Sequence, residues 1–359
     1  MKNIYASVLA VSLFSPVVIA AETADLSYEG ALTGSIIGSS ESKVDTDYLG
    51  VLDLDVFIPA FNGQWHIYIE GTTTSLDDRV NAVYVEANAD AGAAVGSDGK
   101  GRLQISNLEY RHSLGIGDVT IGLLYPSGFS ETGDWSNDET SQFIGSMFAN
   151  IQTIANPDYA LGIGYTTEPS DAIPGISVLL SQAEGLGDLD GSYHDLFSDS
   201  NDIFFTTELR WNYNSVDLRI GAWINDADFE RLDGDGDDNN YGLNVSVAVQ
   251  NIENGRLVFR YGMANDEVSE GDIFWGLSYQ HSFDKLTIGL GHAQTLASDD
   301  LSDQGGDDIK QTEVYLRQQL WDGFYATLSY QHISESSFGF TPGVDSSPNI
   351  YTLRLSQEF

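Results

Sequence analysis

The sequence is short of cysteine, proline and basic residues. It contains no cysteine and only 8 prolines in 359 residues, so no disulfide holds the fold together. Sheets tolerate proline only at edges and turns, and the prolines beyond the first residues fall at predicted strand ends or in connections. Only 15 Lys and Arg accompany 54 Asp and Glu, a formal net charge of −39. This balance argues against nucleic-acid binding, in which basic residues must neutralise phosphates.

Long hydrophobic runs are also absent beyond the first residues. No later segment approaches the roughly 20 apolar residues that a helix needs to cross a bilayer. The amino terminus differs, because Lys2 precedes an apolar stretch, residues 4–21, that ends in small residues suited to signal cleavage. The sequence therefore predicts a secretory signal peptide over residues 1–21 and one domain over residues 22–359. Its hydrophobic content of 42% is too high for a disordered acidic chain.

The last eleven residues, 349–359 (NIYTLRLSQEF), alternate strictly between apolar and polar side chains. This period of two predicts a strand with one apolar and one polar face. A strand at the chain terminus leaves an open edge unless both of its sides are paired. In a closed barrel the last strand pairs with the first, whereas an ordinary amphipathic strand in a soluble sandwich remains the alternative from this segment alone.

Similar alternating segments recur along the whole chain, without the change in composition that would mark a domain boundary. We place sixteen strands near 25–37, 46–58, 64–75, 102–113, 117–126, 159–168, 174–183, 202–213, 215–224, 240–251, 256–265, 272–283, 285–295, 310–320, 323–334 and 348–359. Residues 80–86 (VNAVYVE), inside the second long loop, also have a strand pattern. They form either a hairpin strand within the loop or part of an extra strand pair, which would raise the number of strands to eighteen.

The connections between these strands alternate in length. Short ones such as 59–63 are rich in residues that form tight turns, and long ones such as 127–158 follow on the opposite side. Trp65, Trp211 and Trp321 lie beside short turns, where an interfacial aromatic girdle is expected. The pattern predicts an all-β fold, a transmembrane antiparallel β-barrel of about 16 strands. Its short turns would be periplasmic and its long loops would face outward.

Charged residues concentrate on the strand face that is predicted to point inward. They are Glu109, Arg111, Glu208, Arg210, Asp217, Arg219, Arg260, Glu313, Arg317 and Arg354. Charges in a dry core would be very costly, so their presence indicates water inside the barrel. Two interpretations stay open: these residues line an aqueous pore, or the arginines only neutralise neighbouring carboxylates and stiffen the wall.

The third long loop, residues 127–158, is the predicted constriction. Ser136 and Glu139 form a capping-box pattern, and apolar residues from 143 to 154 recur at helical spacing. The sequence therefore predicts a short amphipathic helix that folds into the lumen. The expected constriction residues are Trp135, Asp138, Glu139, Phe143 and Phe148. The alternative is a helix that lies over the barrel mouth or on a neighbouring subunit.

Metal and catalytic signatures are weak. Asp233, Asp235 and Asp237 alternate with glycine as in the start of a calcium loop, but Asp238 stands where an EF-hand has glycine. Calcium bound to an outer loop is thus the only cofactor that the sequence suggests. The sequence has no G-x-S-x-G, H-E-x-x-H or phosphate-binding loop, and we expect no enzymatic activity.

Three stretches resemble bacterial porins in their residue types and in their order along the chain. They are LDLDVFIPAFNGQWHIYIEG (52–71), GRLQISNLEYRHSLGIGDVTIGLLYPS (101–127) and TSQFIGSMFANIQTIANPDYALGIGY (140–165). The sixteen strands and the helical third loop resemble the general porins, and these stretches are most similar to the carbohydrate-selective porin family. The terminal phenylalanine also resembles the closing strand of outer-membrane barrels.

The resemblance implies passive diffusion of small hydrophilic solutes, including sugars, across a bacterial outer membrane. It also implies contact with the lipid bilayer and lipopolysaccharide, and a homotrimer. Two other functions remain open from the sequence. One is a non-conducting barrel with a structural or adhesive role, and the other is a soluble secreted β-protein that binds calcium or glycans.

Overall fold

The computed structural model describes most of the chain. The described residues are 26–73, 75–89, 100–133, 135, 138, 140–170, 173–187, 193–197, 202–252 and 254–359. The predicted signal peptide, residues 1–21, lies outside them.

Sixteen strands form one closed barrel in which each strand pairs antiparallel with its neighbours in sequence. The strands are β1 (Ser27–Ser39), β2 (Asp47–Ala60), β3 (Gly63–Thr72), β4 (Leu103–Ser113), β5 (Asp118–Leu124), β6 (Ala160–Thr166), β7 (Gly175–Gln182), β8 (Ile203–Tyr213), β9 (Val216–Glu230), β10 (Asp237–Ile252), β11 (Gly255–Met263), β12 (Gly271–Phe283), β13 (Leu286–Ala297), β14 (Ile309–Trp321), β15 (Phe324–Ser334) and β16 (Asn349–Glu358). The predicted fold and strand number are confirmed.

The barrel closes between β1 and β16. Their register runs from Ser39 opposite Ile350 to Ala31 opposite Glu358. Beyond it, Gly30 and Phe359 exchange two backbone hydrogen bonds, each with an N···O distance of 3.0 Å. The last residue of the chain therefore completes the ladder, and the terminal strand leaves no open edge.

The two faces of the wall have opposite polarity. On β16 the side chains of Tyr351 and Leu353 are exposed on the outside, whereas Thr352 and Arg354 are buried inside. A soluble protein buries its apolar face instead, so this inverted arrangement is the one that a lipid-facing barrel requires. Trp321 is also exposed on the outside, beside a short turn, as the sequence predicts for a girdle residue.

Left-handed backbone conformations make the short connections tight. Asn62, Asn214 and Asp284 have φ values of 62°, 54° and 46°, a region that Asn and Asp tolerate better than most residues. These turns join β2 to β3, β8 to β9 and β12 to β13. The loop-length alternation predicted from the sequence therefore has a local chemical cause.

Helices occur only as short segments in the long loops of the described chain. They are α1 (Val80–Val83), α2 (Ser127–Ser130), α3 (Ser146–Ala149) and α4 (Asp299–Asp303), with 3₁₀ turns at Val85–Ala87, Asp195–Phe197 and Ser336–Gly339. The alternative of an extra strand pair at residues 80–86 is wrong, because α1 and a 3₁₀ turn occupy that segment. Among the described residues, none of the helices is long and apolar enough to span a bilayer.

Two glycines on the outer face of β1 test how closely β1 packs against β2. A Cβ at Gly30 would lie 2.3 Å from the carbonyl oxygen of Asp53 on β2, whereas a Cβ at Gly34 would meet nothing within 4 Å. Gly30→Ala should therefore push β1 away from β2 and lower the free energy of unfolding by about 1–3 kcal/mol. Denaturant titration of the refolded barrel measures this loss.

Gly34→Ala is the matched control on the same face of the same strand, and its unfolding midpoint should stay close to that of the parent. Equal midpoints for the two variants would contradict a tight β1–β2 contact at Gly30.

Candidate constriction site

The third loop lies inside the barrel and is fastened to the inner wall on the β14–β16 side. Glu313 on β14 accepts hydrogen bonds from the backbone N–H groups of Ile144, at 3.1 Å, and Gly145, at 2.9 Å. Arg354 on β16 donates to the carbonyl oxygen of Gln142 at 2.8 Å. Inward-facing side chains thus satisfy backbone groups of the loop where it has no sheet partner.

A buried charge pair fastens the loop to β11, three strands further along the wall. Arg260 on β11 donates to the carbonyl oxygen of Met147 at 3.0 Å and to that of Ala149 at 3.4 Å. Its guanidinium also lies 3.7 Å from the carboxylate of Glu131. Glu131 in turn accepts the N–H of Ile151 at 2.9 Å. These contacts join the two arms of the loop to each other and to β11.

Burial controls the protonation of Glu131. It raises the pKa of this carboxyl to about 7, and the negative charge of Glu208 adds to the rise. The Arg260 cation and the Ile151 N–H act in the opposite direction but do not outweigh burial. The loop therefore contains an acidic group that titrates near neutral pH.

A third anchor forms around Arg219 on β9. Arg219 makes two hydrogen bonds of 3.0 Å to Asp217 and lies 3.7 Å from Glu208 on β8. The Thr132 hydroxyl of the loop donates to Glu208 and accepts from Arg219. The Arg219 guanidinium lies over the Trp135 ring, 4.6 Å from its centroid. This predicted constriction residue is therefore held against the wall as well.

Aromatic packing completes the attachment. Phe143 packs against Phe148, with ring centroids 4.7 Å apart, and edge-on against Tyr315 on β14 at 4.9 Å. Phe148 fits over Gly291 on β13, where a Cβ would lie 2.5 Å from its ring. Both predicted aromatic residues face the wall, and the glycine opposite provides the space.

The predicted helix is shorter than its apolar spacing implies, since α3 covers only Ser146–Ala149. The backbone N–H groups of Ile144, Gly145 and Ile151 donate to wall or loop carboxylates, so they do not extend a helical ladder. Asp138 accepts the N–H of Ser141 at 3.0 Å and so begins a separate turn. Ser136 and Glu139, the predicted capping pair, lie outside the described residues.

The other predicted inward residues bond to wall or turn residues and not to the third loop. Glu109 on β4 is buried and lies 3.4 Å from both Arg111 and His66, whereas the Arg111 side chain is 54% exposed. Arg210 donates to the carbonyl oxygen of Thr167. On β14, Arg317 pairs with Glu358 and lies over Tyr325, 3.5 Å from its ring centroid. The structure therefore divides the predicted set into loop anchors and wall residues.

The second loop, residues 76–101, contributes contacts that the sequence did not indicate. The buried Glu86 carboxylate accepts hydrogen bonds from the Ser336 hydroxyl and from the Ser337 N–H at 2.8 Å, both in the eighth loop, residues 335–347. Ala89 donates to the carbonyl oxygen of Ile144 in the third loop at 2.9 Å. The described part of the second loop thus joins the third and eighth loops. The only sequence feature that could have indicated these contacts is Glu86, an acidic residue that follows an apolar stretch.

The acidic outer loop shows no coordination site among the residues that the structure describes. Arg231 donates to Asp233 at 3.2 and 3.3 Å, and this pairing lowers the pKa of Asp233. The N–H of Asp235 also donates to Asp233, at 2.9 Å. No group of three or more His, Asp or Glu in the described chain could hold a metal ion. Calcium at Asp233, Asp235 and Asp237 stays a prediction.

The raised pKa of Glu131 predicts that the loop attachment weakens with increasing pH. A carboxyl whose pKa is about 7 when buried and 4.5 when released stabilises the attached loop fully below 4.5 and loses this contribution as the pH rises through 7. Protection of the Ile151 amide against hydrogen exchange, corrected for the intrinsic rate, should fall by on the order of 100-fold across this window.

Glu131→Gln is the control, because its amide oxygen still accepts from Ile151 but does not titrate. Protection in this variant should change less with pH than in the parent protein. The same pH dependence in both proteins would exclude Glu131 as the titrating group.

Comparisons with known proteins identify the fold. No protein-family model matches the sequence, and the search of curated proteins finds no match. Solved structures do match. OprB of Pseudomonas putida, in a high-pH structure, aligns with a TM-score of 0.72 at 14% identity, covering 93% of this chain and 94% of that chain. An engineered mutant of the Rhodopseudomonas blastica porin aligns with a TM-score of 0.58 at 11% identity, covering 93% and 100%. This chain therefore has the sixteen-stranded barrel fold of these porins.

Proposed function

We propose that the protein is a passive diffusion channel for small hydrophilic solutes in a bacterial outer membrane. The observation that carries this proposal is the third loop, which is fastened inside a closed barrel with an apolar outer face and a polar inner face. An apolar band facing outward fits the bilayer. A polar interior narrowed by an attached loop fits a filter that sorts solutes by size and charge.

Exposed inward side chains mark an open sector of the lumen at the short-turn ends of β2, β3 and β4. The loop anchors described above, from Glu208 to Arg354, all lie on strands β8 to β16. On the other side, Asp55, His66 and Arg111 point inward and are 29%, 20% and 54% exposed. Solutes would therefore pass between the third loop and this sector of the wall.

The position of the arginines favours cations as the preferred ions. Arg219, Arg260 and Arg354 are buried, and all three make contacts with the third loop. Their charges are used for attachment, and they are shielded from the lumen. The chain carries a net charge of −39, much of it in the long loops, where carboxylates concentrate cations at the mouth.

A non-conducting barrel is the second candidate, and the packing of three loops inside the mouth favours it. Glu86 and Ala89 of the second loop connect the third and eighth loops, as described above. Inward side chains such as Gln331 on β15 are fully buried by this packing, with Gln331 donating to the carbonyl oxygen of Ala87. The homotrimer and the contact with lipopolysaccharide remain predictions.

Conductance separates these two functions. The refolded protein in a planar bilayer under a salt gradient should give stable current steps, with a reversal potential that indicates cation preference. A folded barrel without steps would favour the structural role, and an anion-selective reversal potential would contradict the assignment of the arginines to attachment.

Two arginine substitutions should have different effects on the channel. Arg260→Gln removes the hydrogen bonds from the guanidinium to the carbonyl oxygens of Met147 and Ala149, and should weaken loop attachment by about 1–3 kcal/mol. The expected result is larger and noisier conductance, measured on single channels.

Arg111→Gln is the comparison, because this side chain is half exposed and its pairing with Glu109 contributes at most about 1 kcal/mol. It should increase cation preference and leave the step size nearly unchanged. If Arg111→Gln changed the step size and Arg260→Gln changed only the ion preference, the pore would lie on the β11 side of the third loop, contrary to this proposal.

A further inference from the structure

The wall of the barrel has a step on the loop side, between β4 and β5. β4 pairs with β3 from Leu103 onward but with β5 only from Leu108 onward. Residues 103–107 therefore extend beyond the end of β5, and no strand of the described structure pairs with their free edge. β5 and β6 have 7 residues each, fewer than the roughly 9–11 residues with which a strand crosses a bilayer. The low wall would leave a gap in the barrel surface if nothing covered it.

A segment of the fourth long loop, residues 193–197, crosses this step. The Tyr193 hydroxyl accepts a hydrogen bond from the backbone N–H of Ile105 at 2.9 Å and donates to the carbonyl oxygen of the same residue at 2.8 Å. At the other end, Gln182 on β7 donates to the carbonyl oxygen of Leu196 at 2.7 Å. The segment thus reaches from β4 to β7 across the loop ends of β5 and β6. We call it the bridging segment.

The bridging segment lies against the outer face of the wall. Leu123 on β5 and Leu161 on β6 are opposite each other on this face, and both pack in one apolar cluster with Leu196. Leu123 is only 6% exposed, whereas Ile121, two residues away on the same face, is 54% exposed. The bridging segment therefore covers the low wall and extends it from the outside.

The exposed part of the bridging segment is aromatic. Phe197 is 78% exposed and Tyr193 is 43% exposed. On the neighbouring outer face of β4, the apolar side chains of Leu103, Ile105 and Leu108 are exposed as well. Together these side chains continue the apolar outer face of the barrel beyond the end of β5.

The hydrogen bonds to Ile105 also fit lipid surroundings. In water a free strand edge is satisfied by solvent, whereas in the hydrocarbon region each backbone group needs a protein partner. The Tyr193 hydroxyl provides the N–H and the C=O of Ile105 with partners at once. His194 is exposed beside the two aromatic rings, and rings next to polar side chains are typical of the boundary between acyl chains and headgroups.

We propose that the bridging segment inserts into the outer leaflet of the membrane, with the rings of Phe197 and Tyr193 at the boundary between acyl chains and headgroups. Its partner is lipid, because the exposed surface is continuous with the lipid-facing side of β4 and β5. A second copy of this chain is the alternative occupant, and it would shield Phe197 from lipid. The proposal concerns the outer surface of the barrel, so it holds whether or not the barrel conducts.

Site-directed spin labelling tests this proposal, because the chain has no cysteine and each introduced cysteine is the only labelled position. Phe197→Cys carries the nitroxide in the bridging segment, and Leu103→Cys carries it on the extended part of β4. Ile121→Cys is the lipid-facing reference on β5, and Asp303→Cys, at an exposed position of α4, is the water-facing reference. Each protein is reconstituted in phosphatidylcholine vesicles. Collisions of the label with oxygen, which dissolves in the acyl region, are then compared with collisions with a water-soluble nickel chelate.

The oxygen-to-nickel collision ratio at Phe197→Cys and at Leu103→Cys should exceed the ratio at Asp303→Cys several-fold and approach the ratio at Ile121→Cys. A ratio at Phe197→Cys equal to that at Asp303→Cys would place the bridging segment in water and overturn the proposal.

Few collisions of the Phe197→Cys label with either reagent would also overturn the proposal, because protein would then cover the segment. Spin–spin broadening that disappears when labelled protein is diluted with unlabelled protein would identify this cover as a second copy. Circular dichroism shows whether each labelled barrel is folded. If Phe197→Cys does not fold, His194→Cys in the same segment takes its place, and its ratio should again exceed that of Asp303→Cys.

Discussion

Backbone hydrogen bonding is the constraint on which the rest of this structure depends. In the hydrocarbon region of a bilayer, no water is present to satisfy a free N–H or C=O group, so a sheet can cross only if it closes on itself. The pairing of β1 with β16, extended by the two bonds between Gly30 and Phe359, achieves this closure. The apolar outer face and the polar inner face then follow from the alternation of side chains along each strand.

The polar interior serves the same requirement for the third loop. A loop inside a barrel has no sheet partner, yet its backbone groups are largely removed from water. Glu313, Arg260 and Arg354 provide the missing donors and acceptors from three different strands. Each of these charged side chains is buried, and its hydrogen bonds to the loop offset part of the cost of removing it from water. The attachment therefore rests on a connected polar network rather than on a helix.

This polar network explains why some predictions from the sequence were correct and others were wrong. The alternation of side chains along each strand correctly assigned Arg260 and Arg354 to the inner face, because this alternation depends only on position along the strand. The alternation carries no information about what covers an inward side chain. The sequence therefore could not show whether such a residue lines the pore or attaches the third loop. The apolar spacing around Phe143 and Phe148 indicated a longer helix than α3, because wall side chains compete for the backbone groups that a helix would use. Glu131 was missed, since nothing local marks an acid that will meet an arginine from β11.

The sequence by itself determined the approximate number of strands, their approximate ends, the alternation of short and long connections and the closure through the last residue. All of these follow from local patterns: the period of two along strands, the residues of tight turns and the need to pair a terminal strand. Only the tertiary structure decided how the second, third and eighth loops pack inside the mouth and which arginines they cover. These features depend on contacts such as Glu86 with Ser336 and Arg354 with Gln142, between residues more than 200 positions apart, and no local pattern records such a contact.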